Sequence, residues 1–345
     1  MIISRQRTFS VFCLICCLTC FWQNGLRSGA ESSLRLPQHA ATISFEPVIS
    51  GKVVAGQALI KVQLDHSISG TFFVDTGSAT SVISTSLVQK LGLVTEPAVS
   101  NGKPYMIDGK QATMATIPVL KLGVINFPSQ PFVVKNDKFL ATLSGSSFDG
   151  IIGINILHRM ATRWDFKNHL LTFFYPGQLD PIDFRQLNFI NPSILPITED
   201  TKENGLWYAS IKMSNGLVSI DQRLMIDTGS NLTIIPNSDA QHLGLKPYDQ
   251  KLSHTFGGSS ILDVANIETL QVGDLTLPEF PISIRAASLK NEAYLLGLDV
   301  LSNYQVLIDF PAKKMYLQPD TPSVNITIKP QVAPPTQTPV PQTHP

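Results

Sequence analysis

The chain has 345 residues, and its 26 basic and 26 acidic residues cancel to a formal net charge of zero at pH 7. It contains no basic stripe or run of like charge, so nucleic acid and anionic membranes are not expected as electrostatic partners. This length, with a hydrophobic content of 43%, suits two globular domains.

The first thirty residues have the pattern of a secretory signal peptide. Arg5 and Arg7 give a positive start, an apolar run spans residues 9–22, and Ser28-Gly29-Ala30 supplies small residues for cleavage. The run is shorter than the about 20 residues of a membrane-spanning helix. We therefore predict that residues 1–30 are a signal peptide, that the mature chain is periplasmic or secreted, and that it contacts no membrane beyond this segment.

All four cysteines lie inside that apolar run, at Cys13, Cys16, Cys17 and Cys20. Cleavage would leave a mature chain without cysteine, which excludes disulfides, a cysteine nucleophile and cysteine metal ligands. A lipid-modified Cys17 or an uncleaved anchor is the alternative that the pattern favours less. The seven histidines show no metal-ligand spacing, so we predict neither a metal nor any other cofactor.

The next part of the chain has the pattern of β-strands. Residues 58–64 alternate between apolar and polar side chains, and an apolar strand at 71–74 leads into Asp75-Thr76-Gly77-Ser78, the first DTGS turn. A helical stretch at 87–91 ends at Gly92, because a glycine just past a helix is a natural C-cap.

The same succession returns 152 residues further along the chain. Strands at 207–213 and 223–226 lead into Asp227-Thr228-Gly229-Ser230, the second DTGS turn. A helical stretch at 239–243 then ends at Gly244. The repeat therefore involves the surroundings of the tetrapeptide as well as the tetrapeptide itself.

Constant spacing extends this repeat over a whole domain. In each copy, fifteen residues separate the glycine of the DTGS turn from the glycine that ends the helix. Two apolar runs follow, 151–157 around Gly153 and 295–301 around Gly297. The spacings that differ lie where loops are expected, and this is the pattern of a duplicated domain.

These observations predict an all-β fold with a few short helices. We place domain 1 at 43–176 and domain 2 at 204–319, joined by an extended linker at 177–203 with one strand at 193–197. Residues 320–345 are rich in Pro and Thr and poor in large apolar side chains, so we predict a disordered tail there.

Two aspartates in matched turns suggest one site made from two halves. If the turns face each other, the carboxyl groups of Asp75 and Asp227 lie close together, cannot both ionise readily, and share one proton. The ionised member can take a proton from water as it attacks a carbonyl, and the protonated member can donate to the carbonyl oxygen. Such a pair hydrolyses a bond without a metal or a covalent intermediate.

The chain resembles the aspartic protease clan, retropepsin-like and pepsin-like, and specifically two retropepsin-type domains in tandem. The DTGS turns and the two glycine-centred runs carry the resemblance, and residues 148–153 are similar to a segment of pepsin-like enzymes. The resemblance implies two tandem acid-protease-type β-barrel domains that form a pseudo-two-fold bilobal protease. It implies that Asp75 and Asp227 are the catalytic pair and that the substrate is a polypeptide.

The resemblance also implies supporting roles around the pair. The supporting residues would be Thr76, Gly77, Ser78 and Gly153 in domain 1, and Thr228, Gly229, Ser230 and Gly297 in domain 2. The two threonines would hydrogen-bond across the pseudo-two-fold axis, and the two serines would bond the outer carboxylate oxygens. Gly153 and Gly297 would lie in the strands behind each aspartate.

Two hairpins would form flaps over the substrate, with Tyr105 and Phe256 as candidates for the substrate-facing aromatic residues. The chain departs from retroviral proteases after the second glycine, where Ile154 and Leu298 replace the arginine that braces their dimer. The contact between the domains is therefore expected to be held differently.

Four other aspartates, Asp149, Asp165, Asp299 and Asp309, are expected to make only turn and strand-end hydrogen bonds. They are not predicted to take part in catalysis.

The function predicted from these features is an exported aspartic endopeptidase whose two domains pair within one chain as a monomer. One alternative is a catalytically silent, protease-like module for binding or assembly. Another is an enzyme whose sites form only in a homodimer, since the linker is long enough for either pairing.

Overall fold

The structure is a computed structural model that describes residues 41–48, 57–64, 67–100, 103–107, 110–144, 148–175, 189–201, 205–255, 258–286 and 294–319. The predicted signal peptide, the predicted tail and Phe256 lie outside the described residues. No helix within the described ranges is long and apolar enough to cross a membrane.

Domain 1 consists mainly of short and medium strands. Its elements are β2 (Glu46–Val48), β3 (Gln57–Gln63), β4 (Ser69–Val74), β5 (Val82–Ser84), α1 (Thr85–Lys90), β6 (Thr95–Pro97), β7 (Val99–Ser100), β8 (Lys103–Pro104), β9 (Met106–Ile107), β10 (Lys110–Gln111), β11 (Thr113–Leu122), β12 (Ile125–Lys135), α2 (Asp137–Ser144), β13 (Gly150–Ile152) and α3 (Ile154–Leu157). Six strands pair in the order β3-β4-β13-β5-β12-β11, and β11 pairs back onto β3, which closes a barrel.

Domain 2 repeats this architecture with fewer elements. They are β17 (Leu206–Asn215), β18 (Val218–Ile226), β19 (Ile234–Pro236), α4 (Asn237–His242), β20 (Asp249–Thr255), β21 (Gly258–Val272), β22 (Leu275–Arg285), β23 (Leu295–Leu296) and α5 (Leu298–Leu301). The strand order β17-β18-β23-β19-β22-β21 closes when β21 pairs with β17. The all-β prediction with two tandem barrels is confirmed.

A further sheet joins the two barrels. It contains β1 (Ala41–Ser44), β14 (Ala161–Asp165), β15 (Leu170–Phe174), β16 (Ser193–Asp200), β24 (Tyr304–Asp309) and β25 (Lys314–Pro319). The order is β1-β15-β14-β24-β25-β16, so three strands from each side meet where β14 pairs antiparallel with β24. The strand predicted at 193–197 in the linker is β16, which pairs with both β25 and β17.

This sheet explains how the domains are held without the bracing arginine. Its inner face is apolar, and Trp164 at its centre is fully buried. Arg163 donates from Nη2 to Gln305 Oε1 across the junction at 3.0 Å and to Asp165 Oδ2 at 3.2 Å. Burial of apolar surface therefore supplies most of the domain contact, with a polar link beside it.

The two matched helices end as the glycine spacing predicts. Gly92 and Gly244 follow α1 and α4 with φ of +63° and +65°, a region that a residue with a Cβ rarely adopts. The N–H of Leu93 donates to Val88 O, and that of Leu245 donates to Ala240 O. These two glycines therefore set the path of the chain out of each helix.

Candidate active site

Each DTGS turn begins directly after a central strand of its barrel. β4 runs parallel to β13 and leads into Asp75, and β18 runs parallel to β23 and leads into Asp227. The Asp75 N–H donates to Ile152 O at 3.0 Å, and the Asp227 N–H donates to Leu296 O at 3.1 Å. The same backbone geometry thus fixes both aspartates.

The two turns meet across the domain junction through their threonines. The Thr76 N–H donates to Thr228 Oγ1 at 3.1 Å, and the Thr228 N–H donates to Thr76 Oγ1 at 3.0 Å. Each hydroxyl then donates to the other domain, Thr76 to Ile226 O at 2.7 Å and Thr228 to Val74 O at 3.1 Å. The threonine contact that the resemblance implied is present, and it is reciprocal.

The two glycines of the turns bring each turn against the opposite aspartate. A Cβ at Gly77 would lie 2.5 Å from Asp227 Oδ1, and a Cβ at Gly229 would lie 2.5 Å from Asp75 Oδ1. No side chain larger than hydrogen fits at that separation. The two carboxyl groups are therefore neighbours, and glycine is required at both positions for them to approach.

Backbone donors hold the carboxyl groups in place. The Gly77 N–H donates to Asp75 Oδ1 at 2.8 Å, and the Gly229 N–H donates to Asp227 Oδ1 at 2.9 Å. Both aspartates are 9% exposed, so one edge of each remains open to solvent or substrate. Such fixed donors orient the reacting oxygens before a substrate arrives.

Burial and mutual repulsion change the acidity of the pair. Burial raises the pKa of Asp75 above its ordinary value, and the Gly77 N–H offsets part of that rise. The pKa of Asp227 lies well above its ordinary value because it is buried and because Asp75 repels a second negative charge. The pair therefore keeps one proton over a wide pH range, as two adjacent carboxyls do.

The two serines differ from what the resemblance implied. The Ser78 hydroxyl donates to Thr80 O at 3.0 Å, and the Ser230 hydroxyl donates to Leu232 O at 2.8 Å. The expected bonds from these hydroxyls to the outer carboxylate oxygens are therefore wrong for this structure, because each hydroxyl proton is used within its own loop. The backbone N–H groups of Ser78 and Ser230 approach the carboxylates instead.

Gly153 and Gly297 lie behind the two turns, one residue beyond the strands rather than within them. β13 and β23 end at Ile152 and Leu296, and each glycine then caps the short helix that follows. A Cβ at Gly153 would lie 2.6 Å from Ser78 O, so the helix can pack directly against the first turn only with glycine there. The expected position behind each aspartate is correct, and the expected location inside a strand is off by one residue.

The two flap candidates have different outcomes. Tyr105 is 4% exposed and packs with Ala98, Ala112 and Val133 in a small apolar cluster of the first hairpin. Its N–H donates to Ala98 O at 2.9 Å. Phe256 lies outside the described residues, although β20 and β21 flank its position as a long hairpin. A substrate-facing role for either residue stays a prediction.

Gln57 joins the site although no sequence pattern marked it. It begins β3 of domain 1, and its Nε2 donates to Gly229 O in the second DTGS turn. That carbonyl belongs to the same peptide group as the Ser230 N–H, which faces Asp227. Only the assembled domains bring Gln57 to this carbonyl, and only the missing bracing arginine indicated that some substitute contact was needed.

A second pair of contacts missed from the sequence lies behind the turns. In domain 1 the Ser81 N–H and Oγ both donate to Asn155 Oδ1 at 2.8 Å. In domain 2 the Thr233 N–H donates to Asp299 Oδ2 at 2.8 Å, and its Oγ1 donates to Asp299 Oδ1 at 2.6 Å. Asn155 and Asp299 occupy equal places in the two glycine-centred runs, and that alignment is the signal that could have found them.

Three of the four other aspartates make the predicted turn and strand-end bonds, although Asp165 also pairs with Arg163. Asp299 differs from the prediction, because its carboxyl group holds the distant Thr233. Asp149 accepts from the Thr71 N–H at 2.7 Å, Asp165 from the Asn168 N–H at 3.0 Å, and Asp309 from the Ala312 N–H at 2.9 Å. Across the described ranges, no cluster of three or more His, Cys, Asp or Glu side chains could hold a metal ion.

Comparison with known families agrees with this geometry. A family model described as "Aspartyl protease" matches residues 60–156, and a model described as "gag-polyprotein putative aspartyl protease" matches residues 218–303. Each match spans one DTGS turn and one glycine-centred run. No curated protein sequence matches the chain.

One solved structure that is similar to this chain is the aspartic proteinase from Irpex lacteus. It covers 81% of this chain and 97% of its own, with a TM-score of 0.46 and 12% sequence identity.

Proposed function

We propose that one endopeptidase site forms between the two DTGS turns of the same chain. This proposal is supported because the chain belongs to the aspartyl protease family and carries two of its domains in tandem. The chain is a peptide hydrolase, and its substrates are polypeptides. The observation that carries the proposal is the reciprocal threonine contact between Thr76 and Thr228, which brings both aspartates to one place within a single chain.

The proposed mechanism uses the two carboxyl groups in different protonation states. Both pKa values are raised, chiefly by burial, and the pair as a whole holds one proton, so one carboxyl group is ionised while the other is protonated. The ionised member takes a proton from a water as the water oxygen attacks the carbonyl carbon of the peptide bond. The protonated member donates its proton to the carbonyl oxygen, which gives a tetrahedral gem-diol. The carboxyl group that took the water proton then gives a proton to the amide nitrogen, and the other carboxylate takes a proton from a gem-diol hydroxyl as the C–N bond breaks. This step releases the amine and the carboxylic acid and restores the singly protonated pair.

The surrounding groups support this step without entering it. The N–H groups of Gly77 and Gly229 hold one oxygen of each carboxyl group, which leaves the outer oxygens for water and substrate. The threonine contact keeps the two turns in register, and a positioned pair needs little rearrangement as the bond breaks.

We also propose that the enzyme works as a monomer. The joining sheet and the threonine contact both form within one chain, which supports a site completed without a second copy. Specific activity per chain should then be independent of protein concentration. Activity that falls on dilution would support the homodimer instead.

Replacement of either aspartate tests the site. Asp75→Asn and Asp227→Asn should each reduce pepstatin-sensitive cleavage of a peptide library by about a thousandfold or more, since each removes one half of the acid–base pair. Asp221→Asn is the matched control, because Asp221 is exposed on β18, the strand that leads to Asp227. Normal activity in either active-site variant would refute the shared site.

A library assay also separates the enzyme from a silent binding module. A folded wild-type chain that cleaves no peptide between pH 3 and pH 8, yet retains a stable protein partner, would favour the module.

Export remains part of this proposal. The signal-like pattern in residues 1–30 supports it. The test is N-terminal sequencing of the protein recovered from the periplasm or medium, which should begin after Ala30. Recovery of the intact N-terminus in a membrane fraction would favour an anchor.

A further inference from the structure

We propose that Asp299 is a positioning residue that gives domain 2 a pH-dependent hold on its active-site turn, while Asn155 gives domain 1 a pH-independent one. The inference rests on the proposed function, because it concerns how the same site is kept in shape. This difference distinguishes the two domains, whose backbone geometry around the DTGS turns is otherwise closely matched.

The hydrogen-bond network around Asp299 leads to the second DTGS turn. The Gly297 N–H donates to Thr233 Oγ1 at 3.1 Å, and Thr233 donates twice to the Asp299 carboxyl. Next to it, the Leu298 N–H donates to Ser230 O at 2.8 Å. Asp299 thus fixes Thr233, and the segment that both residues hold lies directly behind Ser230.

Domain 1 builds the same network from neutral groups. The Gly153 N–H donates to Ser81 Oγ at 3.0 Å, Ser81 donates twice to Asn155 Oδ1, and the Ile154 N–H donates to Ser78 O at 2.7 Å. The amide oxygen of Asn155 accepts both bonds at any pH between 3 and 9, since it does not titrate in that range. The two halves therefore differ in one functional group.

A carboxyl group at this place has two competing properties. As a carboxylate it accepts from both Thr233 donors, one on each oxygen, and charge strengthens these bonds. As a neutral acid it keeps one good acceptor, because the other oxygen carries a proton. Protonation of either oxygen therefore weakens one of the two bonds from Thr233 and loosens the support of the second turn.

The groups around Asp299 set the pH range in which its carboxyl group becomes protonated. Burial raises the pKa of Asp299 to about 6 from the ordinary 3.8, although the Thr233 bonds and the Val300 N–H lower it. Lys251 on β20 also faces Asp299 electrostatically and lowers its pKa. The backbone oxygen of Asp299 accepts from Asn303 Nδ2 at 2.6 Å, so the residue is fixed at both ends.

The raised pKa of Asp299 determines whether the stability of the folded chain rises or falls with pH. Ionisation costs the folded chain more than the unfolded chain, so wild-type stability relative to Asp299→Asn falls as pH rises between about 4 and about 6. The carboxylate is therefore the form that positions the turn and also the form that lowers stability. A residue with only a packing role would show neither dependence.

The kinetic test uses variants that exchange the two halves. We would measure kcat and KM on one peptide substrate from pH 4 to pH 8 for wild type, Asp299→Asn and Asn155→Asp. The ratio of kcat for Asp299→Asn to kcat for wild type should be near one below pH 5, because the amide and the neutral acid each offer one carbonyl acceptor, and should fall several-fold above pH 7, with little change in KM. The ratio of kcat for Asn155→Asp to kcat for wild type should be near one at low pH and change as the introduced carboxyl group ionises. A ratio that is constant over the whole range would overturn the proposal.

A second readout does not depend on activity. The melting temperature of Asp299→Asn minus that of wild type should increase by a few degrees between pH 4 and pH 7. If the chain proves inactive but this difference is seen, the protease proposal fails while the titration of Asp299 stands. If the chain is active and the difference is flat, Asp299 does not titrate in the folded state and the inference fails alone.

Thr233→Val keeps the proposal testable if Asp299→Asn does not fold. It removes the hydroxyl that lowers the pKa of Asp299. The midpoint of the change in melting temperature with pH should therefore lie at a higher pH in Thr233→Val than in wild type. Thr233→Ser, which keeps the hydroxyl, should leave that midpoint in place. An unmoved midpoint in Thr233→Val would count against Asp299 as the titrating group.

Discussion

Domain 1 and domain 2 hold their DTGS turns with the same backbone bonds but with different side chains. The strand partners, the threonine contacts and the glycine approaches match almost atom for atom. The side chains behind and beside the turns do not match, since Asn155 stands against Asp299. The comparison indicates that the chemistry needs a symmetric backbone arrangement around the two aspartates, which we call the symmetric frame. The side chains that hold this frame in place can differ between the domains.

The clearest asymmetry beside the turns is Gln57. Leu59 and Tyr208 occupy equivalent positions, because each pairs with the residue two positions before the catalytic aspartate of its domain. Two residues earlier, Gln57 of domain 1 therefore corresponds to Leu206 of domain 2. Leu206 is apolar and buried, so domain 2 has no donor at this position. The contact to Gly229 O therefore runs in one direction only, from domain 1 to domain 2.

The symmetric frame should respond most strongly to added bulk at the glycines. Gly77→Ala and Gly229→Ala should each lower kcat/KM by about a hundredfold or more, because the new methyl group would displace the opposite carboxyl group. Equal losses of kcat/KM in the two variants would support the symmetric frame. A much smaller loss in one variant would contradict the equivalence of the two turns.

Gly92→Ala serves as the control for these two variants. Gly92 has a positive φ, and nothing lies within 4 Å of a Cβ placed there, so the change adds backbone strain without a collision. Unfolding free energy should fall by about 1 kcal/mol with kcat/KM of the folded enzyme retained.

The threonine contact should be the next most sensitive feature. Thr76→Val and Thr228→Val each leave a buried N–H and a buried carbonyl of the other domain without their partner, so each should lower the unfolding free energy by about 2–4 kcal/mol. Denaturant unfolding measures the change. Thr42→Val is a control, because Thr42 bonds only Thr172 within the joining sheet and at a partly buried place. A variant that loses no more than Thr42→Val would argue against the contact as a main support.

The one-sided contact should have a smaller effect on rate. Gln57→Leu, which copies the residue found in domain 2, should reduce kcat by about tenfold with KM and melting temperature nearly unchanged. The loss would arise because the Gly229–Ser230 peptide, whose N–H faces Asp227, is no longer held. Gln57→Glu, which keeps length but loses the donor, should resemble Gln57→Leu, and a wild-type kcat in both would remove Gln57 from the site.

The paired carboxyl groups predict a pH dependence of stability with a definite sign. Both folded-state pKa values are raised, so ionisation is disfavoured by folding, and stability contributed by the protonated form is lost as pH rises above about 4. Asp227→Asn should therefore be more stable than wild type at pH 7, with the difference shrinking towards pH 3. Calorimetry at four pH values would measure this, and a difference that grows at low pH would contradict the raised pKa.

The sequence was sufficient for the repeated features of this molecule. Spacing between glycines located both DTGS turns, both helices and both glycine-centred runs, because each of those glycines meets a steric or conformational demand that no other residue meets. Alternation located β3, β4, β17 and β18 to within two residues at most ends. These features depend on local geometry, which a single sequence records.

The features that were missed depend on contacts between distant segments. Gln57 lies 172 residues from Gly229, and its side chain acquires a role only when the domains meet. The serine hydroxyls of the turns were expected to bond the carboxylates, yet the carbonyl two residues along the chain accepts each one. The joining sheet was missed apart from its strand at 193–197, because strands such as β14 and β24 pair only across the duplication.

The central claim is that Asp75 and Asp227 of the same chain form one site, and mixing tests it most directly. Asp75→Asn and Asp227→Asn chains would be unfolded together, refolded, and assayed for pepstatin-sensitive cleavage over a range of concentrations. The account predicts that each variant and the mixture are inactive at every concentration, because no chain carries both aspartates. Activity in the mixture would show that domains pair between chains, and activity in a single variant would show that like domains pair, and either result would contradict the account.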